Sequence, residues 1–177
     1  MCLNFQKLLI VFFIGLLLFG CSTKNISQNP TTDLKLVSNV VLVNVIGENI
    51  QPDILEMLTR EIKGQLIIAG FDLTDSKDKN INLNVVVSEF YPGNAALRLT
   101  VGFGAGRGSL IYTAEYTDPK GILLAKMDGQ ERFTGLEVSH NIYYGAVTTL
   151  GGEETATKVL VKEAAKHIVE LSTGQQQ

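Results

Sequence analysis

"VGFGAGRGSL" (residues 101–110) carries glycine at four alternate positions, Gly102, Gly104, Gly106 and Gly108, and its reading decides the fold. Either the glycines cradle a phosphate ahead of a helix, or they mark a break in a β-sheet. A Walker-type loop needs lysine and then serine or threonine after its last glycine. Here Ser109 and Leu110 follow Gly108. A dinucleotide fingerprint needs G-x-G-x-x-G opening a helix, and Arg107 stands where the third glycine belongs. The downstream "SLIYTAEYTD" alternates as a strand does. Both phosphate readings therefore fail, on spacing and on context.

The flanks supply the better reading. From Leu97 the apolar residues fall on odd numbers: Leu97, Leu99, Val101, Phe103, Ala105. From Leu110 they fall on even numbers: Leu110, Tyr112, Ala114, Tyr116. One unbroken strand cannot change parity without turning its apolar face to water. A hairpin tip or bulge is expected between Gly104 and Ser109, with a strand on either side and Arg107 at the tip, where it is open to an anion or to solvent. Alternate glycines also strip one strand face of side chains and let another backbone come close.

Working outward, "INLNVVVSEF" places Leu83, Val85 and Val87 on one strand face, and "YPGN" (residues 91–94) has turn chemistry. "DPKG" (residues 118–121) has the composition of a type I turn. "ILLAKMDGQERF" reads as the strand returning from it. Residues 83–133 thus form an expected antiparallel meander of about four strands. Before it, residues 40–46 are almost continuously apolar and read as a strand buried on both faces. Ile54, Leu58, Ile62 and Leu66 then repeat every four residues behind Pro52 and Asp53, as in an amphipathic helix stopped by Gly70. "FDLT" follows as a short strand. At the other end, Ala156, Leu160, Ala164, Ile168 and Leu171 form the stripe of a last helix, with Glu153 and Glu154 at its positive end. The expected class is α+β: a strand–helix–strand opening, the meander, and a C-terminal helix packed on the sheet.

The first residues describe an address rather than a fold. Lys7 precedes thirteen unbroken apolar residues (8–20), too few for a spanning helix of roughly 20 and suited to a signal peptide. "LFGC" (residues 18–21) resembles the bacterial lipobox. That resemblance implies cleavage between Gly20 and Cys21, a diacylglyceryl thioether on Cys21 and acylation, by palmitate for example, of the new amine. An ordinary secretory signal or an uncleaved anchor is the alternative. Ser22 after the cysteine resembles the pattern sorted to the outer membrane, facing the periplasm. Residues 22–33 are polar and read as a tether spanning about 20 Å as a coil, long enough for the domain to float off the membrane. The expected organisation is a signal peptide (1–20), lipidated cysteine and tether (21–36), one domain (37–173) and a short tail (174–177).

The 177 residues carry a net charge of −3, which becomes −4 once Lys7 is removed, and show no basic patch, so nucleic acid is not an expected partner. Both cysteines, Cys2 and Cys21, lie outside the domain, which excludes a disulfide or a thiolate metal site within it. Two histidines without fixed spacing to carboxylates make a poor metal site. No G-x-S-x-G elbow accompanies Ser139 and His140, and His167 falls beside the last helix's apolar stripe. No cofactor, metal or enzymatic activity is expected. Residues 134–152 lack periodicity and are long for a loop. Ile142, Tyr143 and Tyr144 within them are a candidate partner-binding surface, or alternatively pack beneath the last helix.

Arg98, the run Gly102, Gly104 and Gly106, then Asp118 and Gly121, with "VVLVNVIG…LTREIKGQLIIAGF" before and Gly151–Gly152 after, resemble the bacterial envelope family called domain of unknown function 4410, over roughly residues 40–171. More loosely, the opening is similar to periplasmic domains of the curli-secretion lipoprotein and of lipoprotein activators of peptidoglycan synthases. The resemblance implies an envelope lipoprotein and supplies no catalytic residues. The function expected is a non-catalytic accessory module docking an envelope protein partner. The alternatives are a subunit of a homo-oligomeric envelope or secretion assembly, and a small-ligand or hydrolytic domain.

Overall fold

The computed structural model describes residues 34–73, 80–100, 106–133 and 152–174. Four strands form one sheet in the order β1 (Val41–Gly47), β2 (Ile81–Tyr91), β3 (Gly108–Thr117) and β4 (Leu123–Phe133). β1 and β2 are parallel, and β2, β3 and β4 run antiparallel in turn. A parallel pair cannot be joined by a tight turn. The crossover is α1 (Pro52–Ile68), with proline in its first turn and Ile54, Leu58, Ile62 and Leu66 buried. α3 (Glu153–Thr173) lies beside α1 on the same face of the sheet. The class is α+β, with the C-terminal helix packed on the sheet.

The core sits between that face and the two helices. Ile81, Leu83, Val85 and Val87 of β2 and Leu110, Tyr112, Ala114 and Tyr116 of β3 point into it. α3 contributes Leu160, Val161 and Ile168, and its small residues Ala156, Ala164 and Ala165 let it approach closely. The "DPKG" turn forms as read: the Gly121 amide donates to the Asp118 carbonyl at 3.0 Å, and the Asp118 carboxylate accepts from the amides of Lys120 and Ile122.

Four expectations change. Residues 95–100, read as the start of a strand, form the short helix α2 (Ala95–Thr100). Gly93 turns the chain at φ +84°, and the Asn94 side chain caps the helix by accepting from the Leu97 amide at 3.1 Å. Local capping and two alanines outweigh a period-two pattern here. The antiparallel meander therefore has three strands, and the fourth strand of the sheet is the parallel β1. "FDLT" shrinks to a single bridge between Val40 and Asp72. β1, expected to be buried on both faces, is an edge strand with Leu42, Asn44 and Ile46 exposed on its outer face. Among the described residues α1 and α3 cover one side of the sheet, so an apolar run does not guarantee two buried faces.

The turn expected at the glycines lies at Gly106, whose φ is +69° and whose carbonyl accepts from the Asn94 amide. A side chain there would run into the Asn94 carbonyl oxygen. The strand expected on its C-terminal side begins at Gly108, which lies against the Pro92 carbonyl and Leu160. Residues 101–105 fall outside the described residues. The glycines lead into a strand, so the helix that a phosphate loop requires is missing at this point.

Candidate functional site

Of the side chains singled out in the sequence, those among the described residues are not gathered at one place. Gly20 and Cys21, and Ile142, Tyr143 and Tyr144, lie outside the described residues. Arg107 is exposed between Gly106 and β3. Glu153 and Glu154 open α3 in its first turn. Glu154 accepts from Lys158 at 2.6 Å, and this holds its carboxyl below the usual range.

His167 does acquire partners. Its Nδ1 lies 2.7 Å from Glu131 Oε1, and the Tyr112 hydroxyl donates to the same oxygen at 3.1 Å. The side chains of Glu131 and His167 are each 14% exposed. Burial, with the Glu131 charge next, pushes the Tyr112 hydroxyl well above its usual titration range. The group joins β3, β4 and α3 through one carboxylate. Tyr112 reaches it because its ring lies across Gly129, where any side chain would collide with it. With a tyrosine, a carboxylate and an imidazole satisfying one another, the arrangement acts as a polar tie between helix and sheet. Among the described residues, no set of three His, Cys, Asp or Glu is placed to hold a metal ion.

The other distinctive surface is the outer face of the sheet, which no described helix covers. Its β3–β4 half is laced by charges and hydroxyls: Lys126 pairs with Glu115 at 2.7 Å, and Thr113 donates to Asp128 at 2.6 Å. Its β1–β2 half holds no charge between Val41 and Gly47. There the register sets Leu42 beside Asn82, Asn44 beside Asn84 and Ile46 beside Val86. Asn44 donates to Asn84 at 3.3 Å. Leu42, Ile46 and Val86 are exposed. Beyond the Asp72 bridge, the edge of β1 has no strand partner among the described residues. It lacks the lysine, proline or bulge that usually blunts an open edge. The sequence reading missed both features. Their signals were Glu131 on the core-facing register of β4, and the absence of charge from β1.

The fold has solved relatives. A chain of the PelC dodecamer from Paraburkholderia phytofirmans superposes with a TM-score of 0.55 at 14% identity, covering 87% of this chain and 100% of that one. A single-substitution variant of the same dodecamer gives 0.50 at 13% identity, with the same coverage. These likenesses concern the fold. Among curated proteins, none matches the sequence. The family described as "Domain of unknown function (DUF4410)" matches residues 38–137, a narrower span than the resemblance implied, ending where α3 has yet to begin. That match takes in β1, the crossover helix and the whole meander, and the chain belongs to this family.

Proposed function

We propose that this chain is a lipid-anchored, non-catalytic module of the bacterial envelope, tethered through acylated Cys21 and facing the periplasm, most readily from the outer membrane. It acts through protein contact, and the contact the observations favour is with further copies of itself. The observation that carries this reading is the β1 edge beside Leu42, Ile46 and Val86, which holds no charge and has no strand partner beyond the Asp72 bridge among the described residues. A second strand can add there by main-chain hydrogen bonds, with the apolar side chains setting register. Support comes from the PelC chain, which shares this fold and assembles as a dodecamer. The accessory reading, docking a different envelope protein, uses the same surface, with residues 142–144 as an additional contact.

The anchor has its own test. Radiolabelled palmitate should enter the full-length protein and be lost in Cys21→Ser, which should also leave the membrane fraction. Equal labelling of both proteins would sink the anchor. A photo-cross-linker at position 44 in intact envelopes should then trap a species of twice the chain mass; a heterologous adduct alone would favour the accessory reading.

A further inference from the structure

The described residues leave ten large apolar side chains exposed, and five of them, Val37, Ile67, Ile68, Ile122 and Leu123, lie at one end of the domain. The topology puts them there. β1 and β2 start side by side at Val41 and Ile81, Asn82 faces Thr117, and Thr117 faces Leu123. α1 runs back to this end, where the Phe71 amide donates to the Leu66 carbonyl and the Val41 amide to the Asp72 carbonyl. Ile67 is 60% exposed, Ile68 80% and Ile122 60%. The spread from β1 to the β3–β4 turn is about three strand spacings, or ~14 Å.

This is also the end where the chain arrives from Cys21. The tether of residues 22–33 leads to Leu34, which is buried, and Lys35 lies over the Phe71 ring at 5.5 Å. Lys35, Lys63 and Lys120 are exposed around the apolar group. Of the described acids at this end, Asp118 caps its own turn and Asp72 also has a partner. In the sequence, residues 74–79, "TDSKDK", balance two lysines against two aspartates. Apolar side chains ringed by lysines suit the boundary between acyl chains and headgroups, where isoleucines enter and ammonium groups reach phosphates.

We propose that this end of the domain is a membrane-contact surface, seated on the bilayer that holds Cys21, with Ile67, Ile68, Ile122 and Leu123 at the acyl boundary and Lys35, Lys63 and Lys120 on the phosphates. The proposal rests on the lipid anchor proposed above. It replaces a domain floating at the tether's coil span of ~20 Å with one held in a fixed orientation, β1 edge upright and free to meet a neighbour.

The test uses the acylated full-length protein in vesicles of phosphatidylcholine and phosphatidylglycerol. Its Cys21 sulfur is a thioether, so an introduced cysteine is the one free thiol of the mature chain. A fluorophore at Ile68→Cys or Ile122→Cys should be quenched by brominated lipids, and one at Glu48→Cys, at the opposite end, should not. Ile67→Ser with Leu123→Ser should lower quenching at position 68 several-fold while circular dichroism stays unchanged. Equal quenching at all three positions, or none, in a protein that carries palmitate would overturn the contact and leave the anchor standing. Absence of palmitate would instead overturn the anchor. A blue shift at 68 and 122 without lipid quenching would mean that protein covers this end, and would also overturn the proposal.

Discussion

Gly129 leaves the space that Tyr112 fills, and through that one missing side chain the polar tie becomes possible. The ring is fully buried and its hydroxyl is committed to Glu131, so it cannot swing aside for a methyl group. Gly129→Ala should therefore destabilise the domain by ~1–3 kcal/mol, the usual range for overpacking a filled site. Urea denaturation checks this; an unchanged midpoint would show that the ring has room to move. In the sequence, Glu131 and His167 each look like small misfits, an acid on the inner register of a strand and an imidazole beside an apolar stripe. Thirty-six residues separate them, and nothing in either local pattern says that the two misfits answer each other.

Elements were legible where one periodicity ran long enough. α1 and α3 follow their apolar stripes, and Asp118 to Gly121 make the turn their composition demands. Residues 95–100 misled because six residues satisfy period two as well as a short capped helix, and Asn94 decides between them through a hydrogen bond that alternation does not record. β1 misled because hydrophobicity alone does not count the layers above and below a strand. α3 is held by a second hydroxyl: Tyr116 donates to the Ile168 carbonyl at 3.0 Å, and burial pushes this phenol well above its usual range. Tyr112 and Tyr116 thus remain protonated in the fold at a pH where the unfolded chain has lost both protons. The folded state then binds more protons, and stability falls as pH rises. Each group contributes ~1.4 kcal/mol per pH unit above ~10. Denaturant titrations between pH 9 and pH 11 should show a decline beginning near pH 10, with a shallower slope in Tyr116→Phe. A flat profile through pH 11 would mean that neither hydroxyl is held as described.

Among the described residues the molecule is a two-layer domain, with one sheet face that no helix covers and, at β1, an edge that carries no charge. Its helices cannot cover either, because the crossover of α1 and the return of α3 both fall on the inner side. Burying Leu42, Ile46 and Val86 therefore requires material beyond the described residues, and the uncharged β1 edge offers main-chain groups to another strand. In a closed ring each β1 edge would meet a different surface of its neighbour, so that every subunit makes two contacts. The most direct test is the mass of the acylated full-length protein in mild detergent, measured by light scattering beside Leu42→Lys with Ile46→Lys. Both lysines fall on exposed positions of the outer face and should leave the fold intact while charging the edge. The expected result is a discrete oligomer of many chains for the unmodified protein and a monomer for the lysine variant. A monomer in both cases, at concentrations where the unmodified chain is folded and lipidated, would contradict assembly through β1.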